Sequence, residues 1–206
     1  MSEKQTKPNF EKGITLIELI VVIFVITAFS LITINNFPKI KRQFAISRAT
    51  HRLAQNLRKT EDLGLSGVQV SGVSDARGYG FYINPTDATQ YLIYADIADA
   101  TETADHQYTG NYEECGSEVV GDCIVELISI LDEEPDVYIK GIYNADTEAL
   151  INTGVSINFA PPNPTVTITT DAGEAINRIE IDLSLNVDQS EVRKIFVNSS
   201  GLVETE

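Results

Sequence analysis

The chain has 206 residues, and its 30 acidic side chains outnumber its 15 basic ones, which gives a formal net charge of −15. This balance counts against nucleic acid as a partner, because binding to DNA or RNA depends on Lys and Arg side chains that neutralise phosphates. The length allows one folded domain of ordinary size beside a long terminal helix and leaves no room for a second such domain.

The first predicted element is a membrane helix near the N-terminus. Residues 14–34 carry no charge except that of Glu18, and at about 1.5 Å per residue they would cross the roughly 30 Å hydrocarbon core of a bilayer. A cleaved secretory signal fits less well, because its apolar region is shorter and ends in small residues, whereas NNFP follows here. We therefore expect the helix to be retained. Basic residues flank it on both sides, so they do not set its orientation.

Glu18 is the unusual residue of this helix. A carboxylate inside a membrane costs roughly 2.5 to 3.5 kcal/mol on insertion scales and normally has a partner or a function. One interpretation is that Glu18 lies near the helix start, reaches the interface and is merely tolerated. The other depends on its context, which is a leader with three lysines, then Gly13, then ITLIE over residues 14–18 and an unbroken apolar run.

That order closely resembles the type IV prepilin signal, which a dedicated membrane peptidase cuts after the glycine on the cytoplasmic side. The resemblance implies cleavage after Gly13 and a new, N-methylated terminus at Ile14. It also implies that Glu18 is an assembly carboxylate that meets the N-terminal amine of a neighbouring subunit as subunits leave the bilayer for a filament. Ile14 departs from the family's commonest phenylalanine, at a position that accepts other apolar residues.

The next predicted element continues this helix as an amphipathic half over residues 38–64. Its apolar residues recur at three-to-five-residue spacing: Ile40, Phe44, Ala49, Leu53 and Leu57. Residues 39–63 hold seven Lys or Arg against two acids, whereas residues 64–206 hold five against twenty-five. Gly64 and Gly67 are predicted to end the helix, and Pro38 is a candidate for a kink. His51 is interpreted as an ordinary polar residue of this helix.

From residue 65 onward the pattern changes to strands. The runs GYGFYINP and TQYLIYAD flank the turn residues 84–87 and predict a hairpin. Further strands are predicted over residues 123–131, 136–143, 155–159, 165–170, 176–187 and 191–197, with a turn at 199–201 before 202–203. The predicted fold class is therefore α+β, with a long N-terminal helix packed on a mostly antiparallel β domain of residues 65–206.

This layout resembles the type IV pilin architecture. The helix sequence SRATHRLAQNLRKTEDLGL and the closing RKIFVNSSGLVE hairpin look most like the GspH/FimT group of minor pilins and pseudopilins. The resemblance implies a leader of residues 1–13 and a transmembrane, filament-core helix of residues 14–37. Some FimT-like members bind DNA through arginines near the C-terminus, but the tail NSSGLVETE has none, so that activity is not expected here.

The same resemblance implies partners and a location. The partners are other pilin or pseudopilin subunits, the prepilin peptidase, the assembly platform of the inner membrane and the membrane itself. The chain would be a single-pass protein of the bacterial inner membrane with its C-terminal domain outside the cytoplasm, and would then join a type IV pilus or a type II secretion pseudopilus.

Cys115 and Cys123 are the only cysteines. On a domain outside the cytoplasm, two cysteines eight residues apart favour a disulfide that closes a small loop. Two reduced thiols are the alternative, and a metal site is disfavoured because no His or further Cys accompanies the pair.

Two acidic stretches are weighed as calcium sites, since hard cations prefer oxygen ligands. They are Asp96, Asp99, Glu102 and Asp105 in the first stretch, and Asp132, Glu133, Glu134 and Asp136 in the second. Neither has the spacing of an EF-hand or its glycine, so solvated acidic loops are the better interpretation and no cofactor is predicted.

The motifs of common enzyme classes are missing from the sequence, which has no nucleophile elbow, no phosphate loop and no zinc-protease helix. An enzyme is not expected. Three hypotheses stand: a filament subunit that assembles through its N-terminal helix, a binding module such as an adhesin or DNA receptor displayed on a filament, and a single-pass anchored exoprotein that never polymerises.

Overall fold

The structure is a computed structural model that describes residues 13–67, 76–97, 106–110, 113–116, 121–161 and 165–206, apart from the side chain of Asn35. The helices are α1 (Leu16–Ser66) and α2 (Ile130–Glu133). The strands are β1 (Ala76–Ile83), β2 (Gln90–Ile97), β3 (Cys123–Ser129), β4 (Val137–Asn144), β5 (Ala149–Ile151), β6 (Val155–Ala160), β7 (Thr165–Thr170), β8 (Arg178–Leu185), β9 (Val192–Asn198) and β10 (Val203–Thr205). The fold is α+β, and the chain divides into two compact units between Lys41 and Arg42.

The first unit contains the apolar part of α1. Its large apolar side chains from Ile14 to Phe37 are 43% to 80% exposed, so they cover the helix all round and pack on no other described residue of this unit. In the described part of the chain, α1 is the helix that is long and apolar enough to cross a membrane. The side-chain hydroxyl groups of Thr27, Ser30 and Thr33 each donate a hydrogen bond to the backbone carbonyl four residues earlier. These polar groups are therefore hydrogen-bonded without water. Single-pass membrane anchoring fits this helix.

The second unit is built on two five-stranded antiparallel sheets. The first sheet has the strand order β3-β2-β1-β6-β7, and the second has the order β10-β9-β8-β4-β5. The inner side chains of both sheets and one face of α1 form a single hydrophobic core. Residues 42–66 of the helix are therefore held by apolar burial, which is the main favourable contribution to such packing.

Most predicted strands are confirmed, including the hairpin of β1 and β2 and the alternation of β8. Ile179, Ile181 and Leu183 of β8 are fully buried, as the period of two requires. At the hairpin turn, the Asn84 side chain accepts a hydrogen bond from the backbone N–H of Thr86 at 3.0 Å, which closes an Asx turn.

Four details of the sequence prediction were wrong, and the fourth concerns Gly64. The strand predicted to run to residue 131 ends at Ser129, whose hydroxyl accepts from the Asp132 backbone N–H and starts α2. The short strand β5 was missed. The apolar stripe predicted on the helix is confirmed at Ala49, Leu53 and Leu57, which are buried. It is wrong at Ile40 and Phe44, which are 45% and 61% exposed, because the buried face begins at Ile46.

Gly64 does not end the helix, which continues to Ser66. Gly67 adopts a left-handed φ of +58° just beyond the last helical residue, the usual place for a terminating glycine. Gly64 instead allows α1 to approach β6 closely, since a Cβ there would lie 2.4 Å from the Phe159 carbonyl oxygen.

Candidate functional site

The predicted cleavage position lies at an exposed, non-helical stretch directly before α1. Gly13 and Ile14 precede the first helical residue, Leu16, and Ile14 is 80% exposed. A Cβ built on Gly13 would have no atom of the described residues within 4 Å. No described residue therefore covers the peptide bond between Gly13 and Ile14. A peptidase needs such an accessible bond in its substrate.

Thr15 and Glu18 form a capping box at the start of α1. The Glu18 Oε2 accepts hydrogen bonds from the Thr15 backbone N–H at 2.9 Å and from the Thr15 hydroxyl at 2.8 Å. In return, the Glu18 backbone N–H donates to Thr15 Oγ1 at 3.4 Å, the longest of the three contacts. These bonds satisfy backbone donors that a helix start otherwise leaves unpaired.

This capping role was missed in the sequence, although its signal was present. Ser or Thr followed three residues later by Glu, just before an apolar run, is the recognised pattern of a capping box. The box answers part of the question that Glu18 raises, because a carboxylate at a helix N-terminus is stabilised by the helix dipole and by its hydrogen bonds. It does not neutralise the charge.

The surroundings of Glu18 are apolar and open. The carboxylate borders a shallow groove along one side of the helix, lined by Ile14, Ile17, Val21 and Val22. Both hydrogen bonds that the carboxylate accepts from Thr15 reach Oε2, so the capping box does not use Oε1. Over residues 13–41, no basic side chain forms an ion pair with Glu18, so a cation for it has to come from elsewhere.

The predicted disulfide is confirmed. Cys115 and Cys123 are bonded with an Sγ–Sγ distance of 2.04 Å and a Cα–Cα distance of 4.9 Å. The bond attaches residues 113–116 to the start of β3, where Glu114 also forms a bridge with Ile124. The Cys115 N–H donates to the Ile124 carbonyl at 3.1 Å, and the Ile124 N–H donates to the Glu113 carbonyl at 2.8 Å.

The second acidic stretch forms ion pairs with α1. Glu134 pairs with Arg48 at 2.6 Å, and the neighbouring Glu133 pairs with Arg52. A third pair joins Lys59 to Glu126 of β3. The excess of basic residues on this half of the helix is therefore matched in part by acids of the β domain. Each pair is partly exposed to solvent, and such exposed ion pairs contribute little to stability.

The first acidic stretch is described only at Asp96, because Asp99, Glu102 and Asp105 lie outside the described residues. Asp96 is 1% exposed and accepts a hydrogen bond from Asn158 Nδ2 at 2.9 Å, with His106 Nδ1 3.3 Å away. Burial also raises the pKa of the neighbouring Tyr94, which therefore keeps its proton. Asp96 is part of a buried polar cluster, and no group of three His, Cys, Asp or Glu in the described ranges could hold a metal ion.

Comparison of the chain with protein-family models, with curated proteins and with solved structures found no match. Inference about function therefore has to start from the cleavage position, the capped Glu18 and the exposed apolar helix.

Proposed function

We propose that the chain is a minor pilin or pseudopilin, a structural subunit that is cleaved after Gly13 and assembles through α1 into a type IV pilus or a type II secretion pseudopilus. The observation that carries the proposal is the combination of an accessible Gly13–Ile14 bond with Glu18 at the start of a helix that is apolar on all sides. The role is structural rather than catalytic.

Cleavage after Gly13 would create a positively charged group that can pair with the Glu18 carboxylate. Hydrolysis of the Gly13–Ile14 amide leaves a carboxylate on the leader and an ammonium group on Ile14. The Thr15 backbone N–H belongs to the following amide, so the capping box survives this reaction. The Glu18 Oε1 can then accept from the Ile14 ammonium group of a neighbouring subunit, and pairing of the two charges offsets the cost of the carboxylate in lipid.

The apolar helix suits both environments that the proposal requires. Side chains that are exposed all round can face lipid before assembly and the helices of other subunits afterwards. The proposed partners are therefore other subunits of the GspH/FimT kind or of other pilin kinds, the prepilin peptidase and the inner-membrane assembly platform. The β domain would lie outside the cytoplasm, where the disulfide is stable.

The N-terminus of the protein purified from its host membrane tests processing. We expect intact mass and N-terminal sequencing to give a chain that begins at Ile14 and carries one methyl group on its amine. A chain that still holds the 13-residue leader would contradict the proposal. The plain membrane-anchor interpretation would then be the better one.

The substitution Glu18→Gln tests assembly separately from processing. Gln serves in a capping box as Glu does, so the helix start is kept while the charge is removed. We expect normal cleavage and membrane retention, together with loss of incorporation into sheared or purified filaments.

The matched control is Thr15→Val, which removes the capping hydroxyl at a cost of about 1 kcal/mol and keeps the carboxylate. This variant should still assemble. Normal assembly of Glu18→Gln would show that assembly does not need the charge of Glu18. Equal loss of assembly in both variants would show that the helix start, rather than this charge, is what assembly needs.

A further inference from the structure

Two lysines of α1 lie just beyond its apolar run of residues 14–34. They are Lys39 and Lys41, and both side chains are exposed. Along the helix axis, Lys39 lies about 32 Å from Glu18, since each residue adds about 1.5 Å. The hydrocarbon core of a bilayer is roughly 30 Å thick. A bilayer that contains the apolar run therefore has the two lysines at the level of its lipid headgroups, on the side remote from Glu18.

The charges of Lys39 and Lys41 are not balanced by acids of the first unit. Glu18 is the only acid among residues 13–41, and it lies at the far end of the apolar run. In the described part of the chain, neither lysine forms an ion pair, whereas Arg48 and Arg52 further along α1 pair with acids of the β domain. The two lysines can therefore bind an external anion without first breaking an ion pair.

The Lys41 side chain leans back toward the apolar end of the helix. Its Nζ lies 4.8 Å from the centroid of the Phe37 ring, about one turn earlier in α1. Helical side chains normally point toward the N-terminus of their helix, so this direction needs no strain. The cation–π contact thereby holds the ammonium group beside the end of the apolar run, where the headgroups of a bilayer would lie.

The positions of the two lysines around the helix indicate which kind of anion they fit. Successive residues of an α-helix are about 100° apart, so Lys39 and Lys41 point to nearly opposite sides of α1. A partner polypeptide that packs on one side of the helix would meet only one of them. Lipids surround a single-pass helix, so their headgroups reach both. An anionic headgroup also has the charge that complements lysine, whereas a zwitterionic headgroup carries a cation of its own.

We propose that Lys39 and Lys41 bind the phosphate groups of anionic phospholipids, such as phosphatidylglycerol, in the leaflet where α1 leaves the bilayer. The ammonium groups would donate hydrogen bonds to the phosphate oxygens. The lipid chains would pack on exposed apolar side chains of the preceding turns, which include Ile34 and Phe37. The proposal rests on membrane anchoring by α1 and is independent of cleavage after Gly13 and of filament assembly.

The test uses the full-length chain in phosphatidylcholine vesicles that contain a trace of spin-labelled lipid, either phosphatidylglycerol or phosphatidylcholine. The electron paramagnetic resonance spectrum then gives the fraction of labelled lipid that the helix immobilises. We expect a severalfold preference for phosphatidylglycerol, because Lys and Arg near a membrane surface attract anionic lipid. The preference should fall as salt is added, since salt screens exposed charges.

Three double variants assign the preference to the two lysines. Lys39→Gln with Lys41→Gln should reduce the preference for phosphatidylglycerol at least about twofold. Arg48→Gln with Arg52→Gln removes the same number of charges from residues that already pair with acids, and it should keep the preference of the wild type. Lys39→Arg with Lys41→Arg retains both charges and should keep the preference as well.

Equal immobilisation of the two lipids by the wild type would overturn the proposal, and an acidic polypeptide would become the better candidate partner. A similar loss of preference in both Gln variants would overturn it too, because net charge alone would then be the cause. Arg42 and the lysines of residues 1–12 are unchanged in every variant, so they do not explain a difference between variants. Immobilisation of neither lipid would contradict membrane anchoring itself, which separates failure of the anchor from failure of the lipid site.

Discussion

At the residue scale, burial on β8 raises the pKa of Asp182, and the stability of the β domain is therefore expected to depend on pH. This pKa rises from 3.8 to about 6 on folding, so between about pH 4 and 6 the folded chain holds this proton more tightly than the unfolded chain does. The free energy of unfolding contributed by this group therefore falls as the pH rises through that window. Solvent screens part of this effect, so the loss is on the order of 1 kcal/mol.

The substitution Asp182→Asn removes this titration, so its benefit should grow with pH. We expect the variant to gain stability relative to the wild type between pH 4 and pH 7, measured by chemical unfolding of the full chain in detergent at several pH values. Asp136→Asn serves as the exposed control at each pH. A difference between wild type and Asp182→Asn that stays constant over this range would contradict the raised pKa.

Single residues also show how much of the candidate site the sequence could predict. Gly13, Ile14 and Glu18 could be selected because their order along the chain is itself the signal. The capping box of Thr15 and Glu18 could have been predicted, because the two residues are three positions apart at the start of an apolar run. The burial of Asp182, outside this site, could not be predicted, because it arises only when β8 pairs with β9 and β4.

At the element scale, Gly64 fixes how closely the end of α1 packs on β6. Helix propensity alone predicts that Gly64→Ala stabilises the chain by about 1 kcal/mol. The new Cβ would lie 2.4 Å from the Phe159 carbonyl oxygen, and such overpacking costs about 1 to 3 kcal/mol. We therefore expect net destabilisation, seen as a lower midpoint in thermal or urea unfolding.

Gly116→Ala is the control for this effect, because the nearest atom to its Cβ position is 4.0 Å away. It should change the free energy of unfolding by less than about 0.5 kcal/mol. Equal or greater stability of Gly64→Ala would show that the helix can move away from β6 without cost.

The elements that the sequence predicted well are those with strong local patterns. The alternation in β8 and the turn residues after β1 were sufficient to predict these elements, because each pattern lies within a short stretch of the chain. The failures at α2, at β5 and at the first two residues of the α1 stripe share another cause. Ile46 rather than Phe44 enters the core because of where the sheets meet the helix, and such tertiary contacts override a local stripe.

At the scale of the whole molecule, the two units differ in the solvent that suits them. The exposed apolar side chains of α1 are suited to a lipid environment. The second unit has a buried apolar core and an excess of acidic residues, which suits water. We expect the chain to stay with the membrane after alkaline extraction. Protease added outside spheroplasts should digest the β domain while a cytoplasmic marker stays intact. Protection of the β domain in this assay, with digestion only after lysis, would contradict the proposed orientation.

The bond between Cys115 and Cys123 has a consequence for crowded copies of this chain. β3 is an end strand of its sheet, and an unpaired end strand is a template on which another chain can add its own strand and aggregate. Residues 113–115 already occupy the backbone groups of Ile124 at this edge, and the disulfide ties them there covalently. Neighbouring copies are thereby kept from fusing their sheets at this end of β3, even when they are packed at high local concentration.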